Sequence, residues 1–225
     1  MIKAVIFDLD GTLLNRDASV QKFIEQQYER LNDWVGHIPK ERYTSRFIEL
    51  DTRGYVWKDK VYQQLVDEFN INGVSWGFFL QDYLDNFQYS CVPFPNLIQM
   101  LETLKSKAIR LGMITNGIGQ FQMDNIKALG IENCFDSILI SEWEGIKKPN
   151  PDIFKRAMSL LHVSANESMY VGDHPENDMN GCKNIGMLGV WKKDSQWEHV
   201  EADYIIDDLS ELLLIVEEVN MTYQP

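Results

Sequence analysis

The sequence is poor in cysteine and in basic residues. Its three cysteines are odd in number and scattered, and none lies in a CxxC or His-paired spacing. This predicts reduced thiols rather than a disulfide framework or a zinc site. The 21 Lys and Arg residues are outnumbered by 34 Asp and Glu, which leaves a net charge of −13. Nucleic-acid polymers and membrane surfaces carry charge of the same sign, so we expect neither as a partner.

Long apolar runs are also missing. No run approaches the roughly 18 residues that a membrane span requires. The chain enters a strand-like segment at residue 2 instead of a basic and then apolar leader, so we expect a cytoplasmic protein. With 225 residues, 44% of them hydrophobic, it has enough material for one large core or for one domain with an insertion. We expect a monomer or a homodimer.

Short apolar runs alternate with helix-like segments along most of the chain. The first run covers residues 2–8, and others lie at 110–115, 137–140, 168–171, 187–191 and 204–206. Helical patterns separate them at 96–107, 120–129, 151–161, 176–184 and 209–219. Nearly continuous apolar strands that alternate with helices predict an α/β fold, with a parallel sheet covered by helices on both faces. Asn150 and Pro151 are typical of a helix start.

Residues 15–91 break this alternation, because they contain only helix-like stretches, near 18–33, 40–52, 58–70 and 75–88. The segment ends at two prolines, Pro93 and Pro95, which are typical of a linker. We therefore predict a core formed by residues 1–14 and 92–225, interrupted by an all-helical cap domain at 15–91.

Acidic residues follow two of the predicted strands. Asp8 and Asp10 follow the first strand, and Asp173 and Asp178 follow the strand at 168–171. In an open parallel sheet, ligands bind at the carboxyl ends of the strands. Carboxylates that converge there repel one another unless a cation lies among them. A hard divalent ion such as Mg²⁺ fits this donor set.

Four motifs in this order resemble the haloacid dehalogenase-like hydrolase superfamily. They are DLDGTLL at 8–14, TNG at 115–117, KKP at 147–149 and GDHPENDMNG at 172–181. The resemblance covers the whole chain. It implies a Rossmann-like core with a helical cap inserted after the first motif, and magnesium-dependent phosphoryl transfer through an aspartyl-phosphate.

The resemblance also implies roles for individual residues. Asp8 is the nucleophile, and Asp10 is the general acid and base that protonates the leaving oxygen and then deprotonates the attacking water. Thr115, the backbone amide of Asn116, and Lys148 bind the phosphoryl group.

The metal ligands implied are Asp8, the backbone carbonyl of Asp10, and Asp173, while Asp178 binds through water or orients Lys148. We expect Gly11 to let the backbone turn out of the first strand, and the Thr12 hydroxyl to hold Asp10.

The main hypothesis is a Mg²⁺-dependent phosphatase acting on a small phosphorylated metabolite. A phosphomutase, a haloacid dehalogenase and a catalytically silent binding protein remain alternatives. Asp10 argues against the dehalogenase, because carbon–halogen cleavage needs no acid for the leaving group. As a simpler alternative, Asp173 and Asp178 would only cap the helix that begins near Glu176.

The predicted cap contains cations interleaved with aromatic residues that are suited to gripping a sugar or a base. A solvated face with an aromatic core is the alternative explanation. The residues concerned are Arg42, Tyr43, Arg46, Phe47, Arg53, Tyr55, Trp57, Lys58, Lys60 and Tyr62.

Overall fold

The structure, a computed structural model, describes residues 1–222 of the chain. It divides into two compact units, Met1–Asn15 with Pro93–Pro225, and Arg16–Val92. The borders between these units lie one residue from those that we predicted at 14/15 and 91/92. Residues 223–225 of the predicted core lie outside the described residues. That the second unit serves as a cap stays a prediction.

The first unit contains a parallel six-stranded sheet, which confirms the predicted fold class. Its order is β3-β2-β1-β4-β5-β6, so the direction of winding reverses between β1 and β4. Such a reversal is where open α/β sheets bind ligands. The strands are β1 (Ala4–Phe7), β2 (Arg110–Thr115), β3 (Ser137–Ile140), β4 (Ser168–Gly172), β5 (Leu188–Lys192) and β6 (Tyr204–Ile206).

The central strand β1 is covered on both faces. All four of its residues are buried, although successive side chains point to opposite sides of the sheet. Ile6 belongs to an apolar cluster that includes Phe154 and Tyr170, whose rings meet edge to face at 5.1 Å. Burial on both faces explains why the strands appear in the sequence as continuous apolar runs rather than as alternating ones.

Five α-helices and two short 3-10 helices, Thr52–Gly54 and Phe87–Ser90, form the unit Arg16–Val92, and buried aromatic side chains fill its interior. Gln27 lies within this core, where its Oε1 accepts hydrogen bonds from the hydroxyls of Tyr62 at 3.0 Å and Tyr43 at 3.3 Å. The helices are α1 (Arg16–Arg30), α2 (Asn32–Val35), α3 (Lys40–Asp51), α4 (Lys58–Glu68) and α5 (Trp76–Asn86).

Most α-helices of the sheet unit lie close to their predicted positions, but the short helix at Ser141–Glu144 was not predicted. The α-helices of this unit are α6 (Leu97–Ser106), α7 (Gly119–Ala128), α8 (Ser141–Glu144), α9 (Pro151–Leu160), α10 (Gly181–Lys183) and α11 (Glu211–Thr222). The start of α9 is as predicted, because the Asn150 side chain accepts a hydrogen bond from the Asp152 amide at 2.9 Å. This cap satisfies one of the free amides at the helix start.

The helix predicted at 176–184 is present, but its first part is not α-helical. A π-helical segment, Pro175–Asn180, precedes the short α10. The amides of both Asp178 and Met179 donate to the carbonyl of His174, at 3.0 and 3.3 Å, which widens the turn. Segments of this kind are frequent at functional sites.

Within residues 1–222, the structure contains no helix that combines the length and the apolar character needed to cross a membrane.

The cap of α9 can be tested by its contribution to stability. Asn150→Ala removes the side-chain acceptor and is expected to lower the free energy of unfolding by about 1 kcal/mol. Asn150→Ser keeps an acceptor at the same position and should retain most of the stability. Urea unfolding of the three proteins measures the difference, and equal loss in both variants would contradict a capping role.

Candidate active site

Three carboxylates meet where the sheet reverses its winding. Asp8 follows β1, Asp173 follows β4, and Asp178 lies in the π-helical segment. Each offers an oxygen within 4.8 Å of the others. Since β1 and β4 are adjacent parallel strands, their carboxyl ends bring Asp8 and Asp173 to one edge of the sheet. The sequence-predicted acidic residues are therefore close in space, with Asp178 inside the group.

The ammonium of Lys148 lies between two of these carboxylates. Its Nζ is 2.7 Å from Oδ1 of Asp8 and 2.7 Å from Oδ1 of Asp178. It also donates to the Tyr170 hydroxyl at 2.9 Å. All three ammonium hydrogens thus have partners, and the Lys148 side chain is only 2% exposed. A buried charge of this kind is stable only when it is paired.

Burial sets the protonation properties of the group. It raises the pKa of Asp8 to about 7, against the opposing charge of Lys148. Burial and the nearby carboxylates of Asp178 and Asp8 raise the pKa of Asp173 well above its usual range. Burial lowers the pKa of Lys148, but the two carboxylates outweigh it and the pKa is raised, so the ammonium stays charged. The three carboxyl groups therefore outnumber the single positive charge that Lys148 supplies.

The turn after β1 allows Asp173 to approach. Gly11 has φ +82°, and a Cβ at this position would lie 2.4 Å from Oδ2 of Asp173. Glycine is thus required for the left-handed backbone and also for the close approach. The expectation for Thr12 is wrong: its hydroxyl donates to Oδ1 of Asp173 at 3.4 Å rather than to Asp10.

Asn116 connects the end of β2 to the loop that carries Lys148. Its side-chain Oδ1 accepts from the Lys148 amide at 2.9 Å, and its Nδ2 donates to the Lys148 carbonyl at 3.0 Å. We had predicted a role for the Asn116 backbone amide only. In the structure the Asn116 side chain holds the backbone of Lys148. The two residues are 32 positions apart, and no sequence pattern indicated this contact.

Gln122 is a site residue that the sequence analysis missed. Its Nε2 donates to Oδ2 of Asp10 at 2.7 Å and to Oγ1 of Thr115 at 2.6 Å. Gln122, Asn125 and Ile126 share the buried side of α7. The spacing of Gln122 and Asn125, next to the apolar Ile126, is typical of amide side chains on the buried side of a helix, and buried amides need hydrogen-bond partners.

The oxygen donors fit a hard divalent cation. Three carboxylates converge within a buried space, and the group contains neither His nor Cys. Such a set suits Mg²⁺ better than zinc. A cation here would also favour the ionised forms of Asp8 and Asp173, whose pKa values are raised by burial and, to a smaller extent, by the neighbouring carboxylates. The carboxylate of Asp10 is not in this group; we had assigned only its backbone carbonyl to the metal.

The capping explanation for Asp173 and Asp178 does not match the contacts. His174 is the residue that caps the π-helical segment, since its Nδ1 accepts from the amides of Glu176 and Asn177. Asp178 accepts from the His174 amide at 3.0 Å through Oδ2, while its other oxygen faces Lys148. Asp178 therefore anchors both the turn and the lysine.

In the unit Arg16–Val92, part of the predicted aromatic set forms the interior. Tyr43, Phe47 and Tyr62 are fully buried, in line with the alternative explanation. Arg46 pairs with Glu49 at 2.8 Å and with Glu68 at 2.6 Å.

Other members of that set remain at the surface or pair with acids. Trp57 and Tyr55 are exposed. Arg53 lies 3.0 Å from Asp17, and Lys58 pairs with Asp51.

The sheet order and the acidic group at its switch point define a Rossmann-like α/β protein. A family model described as haloacid dehalogenase-like hydrolase matches residues 5–191, and the chain belongs to this family. Glyceraldehyde 3-phosphate phosphatases of Pyrococcus abyssi and Pyrococcus furiosus are 32% and 29% identical over 98% and 97% of this chain, and over 96% and 95% of their own. The crystal structure of a HAD phosphatase from Thermococcus onnurineus is 28% identical, with a TM-score of 0.67, and the match covers 96% of this chain and 98% of that one.

Asp173→Asn tests whether the acidic group is built for a cation. Removing one carboxylate relieves repulsion, so the metal-free variant should be more stable than wild type by about 1 kcal/mol. Mg²⁺ should raise the melting temperature of wild type and raise that of the variant much less. Thermal unfolding with and without Mg²⁺ measures both effects.

The matched control is Asp152→Asn, which makes the same charge change at an exposed position. This control should keep the full response to Mg²⁺. An equal Mg²⁺ response in the Asp173 variant would exclude Asp173 as a ligand.

Proposed function

We propose that the protein is a Mg²⁺-dependent phosphatase of small phosphomonoesters that works through an aspartyl-phosphate on Asp8. The observation that supports this most is the Asp8 carboxylate, held at the end of β1 by Lys148, with Asp10 two residues further along the chain. The Pyrococcus relatives are named as phosphatases, which favours the same reaction class here.

In the first step, an oxygen of Asp8 attacks phosphorus in line with the leaving oxygen. The bond from phosphorus to the leaving oxygen breaks, and that oxygen takes a proton from the Asp10 carboxyl group. The result is a free alcohol and an acyl phosphate on Asp8. This divides one difficult hydrolysis into two easier steps.

In the second step, Asp10 acts as the base. It takes a proton from a water molecule, whose oxygen attacks phosphorus as the bond to Asp8 breaks. Phosphate leaves, the Asp8 carboxylate is restored, and Asp10 again carries a proton. Asp10 thus returns to its starting state with each turnover.

Charge and hydrogen bonds from the chain stabilise the transferring group. Lys148 contributes mainly through its charge, because its three hydrogens already have protein partners. The Thr115 hydroxyl and the Asn116 amide supply donors at the end of β2. Asp8 and Asp173, with the carbonyl of Asp10, would hold Mg²⁺, and Asp178 would keep Lys148 in place. When bound, the ion offsets the negative charge of the phosphoryl oxygens.

Glyceraldehyde 3-phosphate is the first substrate to test, because the two Pyrococcus relatives carry its name. It belongs to the class of small phosphorylated metabolites that we expect as partners. The wider panel should contain sugar phosphates, nucleoside monophosphates and phosphorylated hydroxy acids. A haloalkanoic acid belongs in the panel as well, because halide release would favour the dehalogenase alternative.

The prediction is that phosphate release requires both Mg²⁺ and Asp8. Wild type should hydrolyse an aryl phosphate and at least one metabolite of the panel with Mg²⁺, and should lose this activity in EDTA. Asp8→Asn is nearly isosteric and should abolish turnover, because the amide is not a nucleophile for phosphorus. Inorganic phosphate release measures the rates.

Asp136→Asn serves as the control for this comparison. Asp136 accepts from the Leu111 amide at 2.8 Å, at the start of β2, and its substitution should leave the rate on each substrate close to that of wild type. Phosphate release by Asp8→Asn at the wild-type rate would refute the covalent mechanism. Activity that needs a bisphosphate primer and gives little net phosphate would instead favour the phosphomutase.

A further inference from the structure

Gln122 lies in the first turns of α7, close to the turn formed by Thr115, Asn116 and Gly117. It is a buried residue, only 2% exposed. A Cβ on Gly117 would lie 2.8 Å from the Cγ of Gln122 and 3.0 Å from its Cδ. The glycine of the TNG motif therefore leaves the space through which the Gln122 side chain reaches the site.

The orientation of the Gln122 amide is set by its partners. The amide nitrogen faces Asp10, and Nε2 donates to Oδ2 at 2.7 Å. The same nitrogen lies 2.6 Å from Oγ1 of Thr115 and, at the longer distance of 3.5 Å, near the carbonyl oxygen of Asn116. On the other side, Nδ2 of Asn125 donates to Oε1 of Gln122 at 3.4 Å. Both amide hydrogens are directed into the site.

These two hydrogen bonds determine where protons can lie. Because the amide donates to Oδ2 of Asp10, the proton of a neutral Asp10 belongs on Oδ1. Because it also donates to Oγ1 of Thr115, the hydroxyl hydrogen of Thr115 has to point elsewhere. The Gln122 amide therefore fixes which oxygen of Asp10 carries the proton. It also leaves the hydroxyl hydrogen of Thr115 available to a phosphoryl oxygen.

We infer that Gln122 is a positioning residue that presents Oδ1 of Asp10 to the leaving oxygen and the Thr115 hydroxyl to the phosphoryl group. The inference rests on the proposed phosphatase function and deepens it. An asparagine would be one methylene too short to reach both partners.

The test compares leaving groups in Gln122→Met, which keeps the length of the side chain and removes both donors. For an alkyl phosphate, whose leaving oxygen needs a proton, kcat/KM should fall about 10- to 100-fold, mainly through kcat. For 4-nitrophenyl phosphate, whose leaving group departs without a proton, only the contribution made through Thr115 is lost, so the fall should be clearly smaller than with the alkyl phosphate. A residue with a purely structural role would affect both substrates alike.

A double-variant cycle gives a second readout. In an Asp10→Asn background, Gln122→Met should cost less with the alkyl phosphate than it does in the wild-type background, because the acid that it positions is absent and only the contribution through Thr115 remains. Gln120→Met is the matched control. Gln120 is an exposed residue of the same helix that donates to Asp124, and its substitution should leave both rates unchanged.

Gly117→Ala tests the inference without changing Gln122 itself. The added methyl group would displace the Gln122 side chain, so the same selective loss with the alkyl phosphate is expected. This variant decides the question if Gln122→Met does not fold.

Equal losses with both leaving groups, or independent effects of the Gln122 and Asp10 substitutions, would overturn the inference. Provided that wild type is active, neither result would affect the proposed function. A folded wild type that releases phosphate from neither substrate would overturn the proposed function, and the inference with it.

Discussion

The site depends on the ion pairs that the ammonium of Lys148 makes with Asp8 and Asp178. It joins three separate parts of the chain, because Asp8 follows β1, Asp178 lies in the π-helical segment, and Lys148 itself lies between β3 and α9. A buried ion pair adds little net stability compared with apolar packing, but removing one partner leaves an unpaired charge and costs several kcal/mol, typically about 3–5. The network therefore acts chiefly to place Asp8.

Neutral amide side chains hold the charged residues of the site in place through hydrogen bonds. Asn116 fixes the backbone of Lys148 through two hydrogen bonds, and Asn150 starts α9 two residues after the lysine. Gln122 contacts Asp10 and Thr115 from α7. An amide donates or accepts without altering the net charge, so these contacts orient the charged groups without neutralising them. The site is thus assembled on a rigid frame of strand ends and helix starts.

The sequence was sufficient for the sheet because its strands are buried on both faces and therefore form unbroken apolar runs. Asp8 and Asp173 could be placed together for the same reason, since parallel strands bring their carboxyl ends to one edge. The contacts of Gln122 and of Thr12 could not be predicted, because they depend on how side chains of a helix and of a turn are directed, which the order of parallel strands does not determine. The π-helical geometry could not be predicted either, because the same residues are compatible with an ordinary α-helix.

The most direct test of the account is to look for the phosphoryl group on Asp8 itself. Enzyme that is turning over a phosphomonoester in the presence of Mg²⁺ is quenched in acid, digested, and examined by peptide mass spectrometry. We expect one added phosphoryl group on the peptide that contains Asp8, labile to base and absent from Asp8→Asn. Rapid phosphate release with an unmodified Asp8, or with the phosphoryl group on another residue, would contradict it.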